Sequence, residues 1–226
     1  HSHSVSFANI SVSNSKGVGI LANNVTGLSL HNITVVNHGQ TGIRVDGYAY
    51  KVLDSLVSDI GCVGIQASGG DVLTLTPGSN LISGNVVNRP ALWKRTYMSG
   101  IRWGGVNNTF LGNFVSNAPH NCFLGGGNEI PAVDCIHEGN IIQNCAYEAS
   151  DTGAWYSCGQ KGAWINRGNV ARGNIFKQIR CRIRGRSVEG CGGGVQAVYL
   201  DDQMSGWLWE NNTFEDCDTA MFIGGG

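Results

Sequence analysis

The chain has 226 residues, and only 14% of them are charged, against roughly 25% in an average globular domain. Glycine occurs 34 times and asparagine 22 times, which disfavours helical bundles and coiled coils, while a hydrophobic share of 42% excludes disorder. The formal net charge of −1 carries no nucleic-acid footprint, and no apolar run is long enough for a helix to span a membrane.

A short segment recurs along the chain. It begins as Gly19-Ile20-Leu21-Ala22, Gly42-Ile43-Arg44-Val45, Gly64-Ile65-Gln66-Ala67 and Gly100-Ile101-Arg102-Trp103. It continues as Asn121-Cys122-Phe123-Leu124, Gly153-Ala154-Trp155-Tyr156, Ala197-Val198-Tyr199-Leu200 and Ala220-Met221-Phe222-Ile223. Between these lie stretches rich in Asn and apolar residues, such as 32–37, 113–117 and 140–144. Strands of four or five residues separated by Gly and Asn do not suit a helical period of 3.6. Gly and Asn tolerate the left-handed backbone of tight corners. The shortest interval, about 22 residues, fits three short strands and three turns. The repeat therefore predicts an all-β parallel solenoid of about eight coils, one domain over 1–226, right-handed by the general preference of parallel crossovers. Neither end shows a cap helix, so the expectation is a longer natural chain or ends that stack on a partner.

Longer intervals are coils with inserted loops, at 68–80, 89–98, 125–131, 145–152, 157–166 and 179–195. All flank the recurrent segment, so they wall a groove over one face. With alternation along each strand, the second position points inward (Ile20, Ile43, Ile65, Ile101, Cys122, Ala154, Val198, Met221). The third points outward (Leu21, Arg44, Gln66, Arg102, Phe123, Trp155, Tyr199, Phe222). Outward rings at Phe123, Trp155 and Tyr199 suit stacked sugars, and arginines such as Arg102, Arg167 and Arg182 suit carboxylates or sulfates. Residues 161–186 hold eight of the 15 Lys and Arg and no acid, while 187–226 hold seven acids and no base. These bases either lie over an anionic glycan or pair with acids of the neighbouring coils.

Three titratable segments stand out: Pro119-His120-Asn121, the run 147–153 with Glu148 and Asp151, and Tyr199-Leu200-Asp201-Asp202. In register His120 falls opposite Thr152, beside Asp151. That predicts an acid/base pair of Asp151 and His120, with Glu148 as second carboxylate. Against this stands the reading of His120 and Asp151 as turn residues. Along an extended strand Asp201 lies roughly 20 Å from Asp151, too far for two-carboxylate hydrolysis, so Asp201 and Asp202 are expected to hold sugar. Calcium with Asn128 and Glu129 is the alternative. No motif demands a cofactor or metal.

The coil pattern resembles the right-handed parallel β-helix superfamily of pectate lyases and polygalacturonases. The run from Ser150 to Tyr156, the run from Tyr199 to Asp202 and the closing glycines resemble carbohydrate-active β-helix proteins related to fucosidase- and xylanase-type hydrolases. The resemblance implies a polysaccharide hydrolase or lyase. The polygalacturonase signatures D-D-C and G-H-G are missing, and R-I-K is only echoed at 182–184. The other function class is a non-catalytic structural glycoprotein module of an extracellular filament or matrix. Eight cysteines and five glycosylation sequons, at Asn9, Asn24, Asn32, Asn107 and Asn211, fit a secreted protein in either case. Cys181 and Cys191, in one inserted loop, are expected to pair.

Overall fold

The computed structural model describes residues 4–127, 130–159, 167–182 and 195–224. Three parallel sheets of eight strands each run the length of the molecule, and each coil contributes one strand to each sheet. The first sheet opens with Ser6–Ala8, the second with Ser11–Ser15 and the third with Ile20–Thr26. The eighth coil closes them with Trp207–Glu210, Thr213–Glu215 and Thr219–Ile223. The result is a parallel β-helix, with no helix among the described residues. The 68–80 insertion adds a short antiparallel pair, Gly70–Asp71 with Thr76–Pro77.

Each sheet sends one column of side chains inward. In the second sheet it reads Val12, Val35, Val57, Val87, Val115, Ile142, Phe176 and Phe214. β-Branched and aromatic residues fill a pleated surface well, and from Val35 to Phe176 this column is buried. The corner between the first and second sheets turns through a left-handed residue in every coil: Asn9, Asn32, Asp54, Gly84, Gly112, Gly139, Gly173 and Asn211 all have positive φ. The next residue is Asn from coil four onward, and it is buried through coil seven. Asn113 accepts from the Asn85 backbone at 3.1 Å, and its own amide donates to Asn140 at 3.0 Å and to the Ile82 carbonyl at 2.9 Å. Asn140, Asn174 and Asn212 continue the pattern. Each amide is satisfied by its neighbours, which makes burial of these polar groups affordable.

The third sheet corrects the outward column. Ile101 pairs with Phe123 and Phe123 with Trp155, in line with Ile65 and Val198. Phe123 and Trp155 therefore point inward and are fully buried, not over a groove. The outward column is Leu21, Arg44, Gln66, Arg102, Leu124, Tyr156, Tyr199 and Phe222. The slip has a physical cause. The position before each inward residue must be small: a Cβ at Gly64 would lie 2.5 Å from a methyl of Val87, and one at Gly100 2.2 Å from a methyl of Val115. Cys122 and Ala154 occupy this small-residue position in coils five and six. They are buried there, and so resemble inward residues in the sequence. A one-residue slip exchanges the faces of a strand.

Cys122 is bonded to Cys145 on the next coil, with Cα atoms 5.7 Å apart. Cys181 is a disulfide cysteine; Cys191, its expected partner, lies outside the described residues.

Candidate functional site

The outward face of the third sheet carries an open cavity of about 720 Å³ over coils four to seven. Arg102, Leu124, Tyr156 and Tyr199 lie on its floor, and Asp151, Asp201, Asp202, Lys94 and Tyr97 also line it. Alternation explains the floor: Tyr156 and Cys158 share the outward side of their strand, as Tyr199 and Asp201 share the next, in register pairs Tyr156–Tyr199 and Cys158–Asp201. The two tyrosine rings meet edge to face, with centroids 5.4 Å apart.

Both tyrosine hydroxyls are held by carboxylates. Tyr156 donates to Asp201 Oδ2 at 2.6 Å, a short bond of the charge-assisted kind. Tyr199 donates to Asp151 Oδ1 at 3.2 Å, and the Asp201 carboxylate acts on the same hydroxyl. Asp201 also accepts the Asp202 backbone N–H at 2.8 Å. Burial, followed by the Asp201 carboxylate, pushes the Tyr156 hydroxyl far above its ordinary pKa. Burial with Asp201 and Asp151 does the same to Tyr199. Both therefore remain protonated donors across the neutral range.

Asp151 and Asp201 thus line one cavity and both act on the Tyr199 hydroxyl, in contrast to the separation expected from an extended strand. Asp151 has a left-handed φ of 55°, and the chain then lies against its neighbour at Gly153. A Cβ there would stand 2.8 Å from Cβ of Tyr199 and 2.7 Å from the Trp155 carbonyl. Only a glycine admits that approach, and it brings the segment with Asp151 over the ring of Tyr199.

The other expected site residues lie elsewhere. His120 does fall opposite Thr152, with Nδ1 3.4 Å from its Oγ1, but its shorter contact is Asn121 Oδ1 at 2.6 Å. It is buried under the ring of Tyr97, and burial lowers its pKa. It supports the wall of the cavity. Glu148 is held at 2.6 Å by Arg95 and does not line the cavity. Arg167 is buried and donates to the Gly126 carbonyl at 3.3 Å, while Arg182 is anchored by its backbone N–H to Tyr147. Neither lines the cavity. Of the basic run, Arg172 pairs with Glu138 at 2.8 Å, Lys177 with Glu215 at 3.0 Å, and Arg180 with Asp216. These three bases neutralise acids of adjacent coils. Lys161, Arg184 and Arg186 lie outside the described residues. Sequence reasoning missed Tyr156, Lys94 and Tyr97. Aligning Ala154-Trp155-Tyr156 with Ala197-Val198-Tyr199 would have found Tyr156.

Asn128 and Glu129, the calcium alternative, also lie outside the described residues. Cys158, Asp201 and Asp202 each bring a ligand atom within 4.8 Å of the others. A thiol is a poor partner for oxygen-seeking calcium, and both Asp201 oxygens already accept hydrogen bonds. Cys158, Asp201 and Asp202 alone do not make a calcium donor set. All five sequon asparagines are exposed and have positive φ. Left-handed corners select Asn by themselves, so corner geometry accounts for these positions without a glycan.

A parallel β-helix with a carboxylate- and tyrosine-lined groove is the class of molecule that fold and site define. No protein-family model matches the chain, and no curated protein sequence matches it. Among solved structures the fold is similar to that of an alginate lyase from Paenibacillus sp. str. FPU-7, with a TM-score of 0.56 over 91% of this chain and 78% of that one. The two sequences share 14% identity, so the likeness is one of fold.

Proposed function

We propose that this protein is a polysaccharide-cleaving enzyme, and specifically a glycoside hydrolase of the β-helix type. The observation that carries the reading is the convergence of Asp151 and Asp201 on the Tyr199 hydroxyl within an open groove. Two carboxylates flanking one groove serve glycoside hydrolysis, in the retaining mode one as acid/base and one as nucleophile. Asp201 accepts two hydrogen bonds on different oxygens. That holds its carboxylate in one orientation and suits the nucleophile. Asp151, exposed at the rim with the single Tyr199 contact, suits the acid/base that protonates the leaving oxygen and later activates water. Tyr156 and Tyr199 orient the pair. Arg102 lies beside them to hold substrate.

A lyase is the second reading, favoured by the likeness of fold to an alginate lyase and by Lys94 and Arg102 in the groove, where they would neutralise a uronate carboxylate. Incubation with a panel of polysaccharides separates the two. A hydrolase releases reducing ends without an ultraviolet-absorbing unsaturated product, whereas a lyase yields both. If neither appears on any polymer, the structural-glycoprotein reading takes over. We further propose that the protein is secreted. Support comes from the buried Cys122–Cys145 bond, which an oxidising compartment favours. A mass spectrum of the protein from its natural source tests this, with at least one sequon expected to carry sugar.

A further inference from the structure

The carboxylates occupy only the C-terminal part of the groove. Toward the N-terminus its floor continues through Arg102, Gln66 and Arg44, in register on coils four, three and two. Beside this floor runs the inserted segment 89–98. Its first part is pinned at the corner of coil three: the Trp93 and Lys94 N–H groups both donate to the Gly61 carbonyl, at 3.0 and 2.9 Å. Its second part reaches coils five and six, where Arg95 holds Glu148 and the ring of Tyr97 lies 4.9 Å from His120 and 6.5 Å from Tyr156. The segment is thus a wall about three coil spacings long, roughly 14 Å by the strand separation. Lys94 and Tyr97 of this wall face the cavity.

Trp93 stands on the same wall with 79% of its surface exposed. A large ring left bare on a backbone that is already fixed keeps apolar area in water, and loses little further freedom when something covers it. Its flat face matches the C–H face of a sugar ring. The guanidinium and amide groups on the floor supply donors for sugar hydroxyls. Trp93 directly precedes Lys94, which lines the cavity, and Gln66 lies in register beside Arg102 of its floor.

We propose that the N-terminal half of the groove, floored by Arg44 and Gln66 and walled by Trp93, is a non-catalytic subsite for further sugar rings of the same polysaccharide chain. This rests on the reading of the groove as polysaccharide-cleaving and adds its mode. The substrate is a polymer that runs along the solenoid axis past the carboxylates, and cleavage is internal to the chain.

The test is affinity electrophoresis of the native protein through gels containing alginate, polygalacturonate or arabinoxylan. At least one polymer should retard the wild type. On that polymer Trp93→Ala should bind about tenfold more weakly, as loss of one aromatic platform allows, with Trp93→Phe between the two and Arg44→Ala also weakened. Retardation of Trp93→Ala equal to that of the wild type overturns the subsite, as does a wild type retarded by none of the three. Turnover of Asp151→Asn on the same polymers is measured separately. Full activity there with weakened binding by Trp93→Ala removes the catalytic assignment and keeps the subsite. Lost activity with unchanged binding by Trp93→Ala does the reverse.

Discussion

Two columns of polar side chains run along this molecule, and they behave oppositely. At the corner of the first and second sheets, asparagines repeat from Asn85 to Asn212, and each bonds the next. On the outward face of the third sheet the column changes with almost every coil, from Arg44 through Gln66, Arg102 and Leu124 to Tyr156 and Tyr199. The first column closes on itself, so its polar groups stabilise the stack and meet nothing else. The second leaves carboxylates and hydroxyls facing an open cavity. In a repeat fold, mutual satisfaction marks scaffold, and the departure from repetition marks the place where chemistry is possible.

Removing a groove carboxylate should sharpen that contrast most. Asp201→Asn and Asp151→Asn should each lower turnover by about 10²–10⁴-fold, the usual loss for an acid/base group. Thermal unfolding should fall only slightly, because each carboxylate joins coils six and seven through a single tyrosine hydroxyl. Loss of stability with retained activity would assign both residues to the scaffold.

A buried histidine provides the next largest effect, on the scaffold side. His137 sits on an inward column among Trp103, Phe110, Phe123 and Trp155, and burial alone lowers its pKa to about 3. The unfolded chain binds the proton near the ordinary value of about 6.5. Between these values the unfolded state holds more protons, so stability is full above about pH 6.5 and falls as pH drops toward 3. The slope from this one group is about 1.4 kcal/mol per pH unit. Denaturant midpoints at stepped pH should show this fall, and His137→Phe should flatten it.

The fold was legible in the sequence because its determinants are local. Every recurrent segment lies on the third sheet, and the left-handed corners between the first and second sheets are Gly, Asn or Asp. The site was only partly legible. Asp151, Tyr199, Asp201, Asp202 and Arg102 line the cavity, whereas Phe123 and Trp155 belong to the core. Gly153 misled the register by mimicking the small-residue position that Ala154 fills, and this hid Tyr156. The same Gly153 brings Asp151 onto Tyr199, which an extended-strand count cannot express. The ties of Glu148 to Arg95 and of His120 to Asn121 depend on loop geometry that leaves no periodic trace.

Breaking the ladder should cost less than acid does over its full range. Asn113→Ala orphans the Asn85 backbone N–H, the Ile82 carbonyl and one amide contact on each side. Each buried orphan costs about 1–3 kcal/mol, and partial relaxation leaves an expected loss of about 3 kcal/mol. For a chain of this size that lowers the melting temperature by roughly 6–12 °C. Calorimetry checks it, and activity per folded molecule should be unchanged.

The smallest effect tests the bridge between the carboxylates. Tyr199→Phe keeps the ring, its edge-to-face contacts with Tyr156 and Phe222, and the space it fills. It removes only the hydroxyl that donates to Asp151. The variant should therefore fold with unchanged stability. Asp151 loses the Tyr199 hydroxyl, its one hydrogen-bond partner among the described residues, while Asp201 keeps Tyr156 and the Asp202 amide. An orienting hydrogen bond of this kind contributes about 1–1.5 kcal/mol, so turnover should fall about tenfold with little change in the polymer concentration needed for half-maximal rate. Tyr156→Phe acts on the better-held carboxylate and should have the smaller consequence for Asp151-dependent steps. Leaving-group ability separates the two. With an activated aryl glycoside, which needs little protonation, the Tyr199→Phe defect should shrink and the Tyr156→Phe defect should persist. Equal defects on both substrates would show that Tyr199 does not serve Asp151, and the assignment of Asp151 as the acid would have to be exchanged with Asp201.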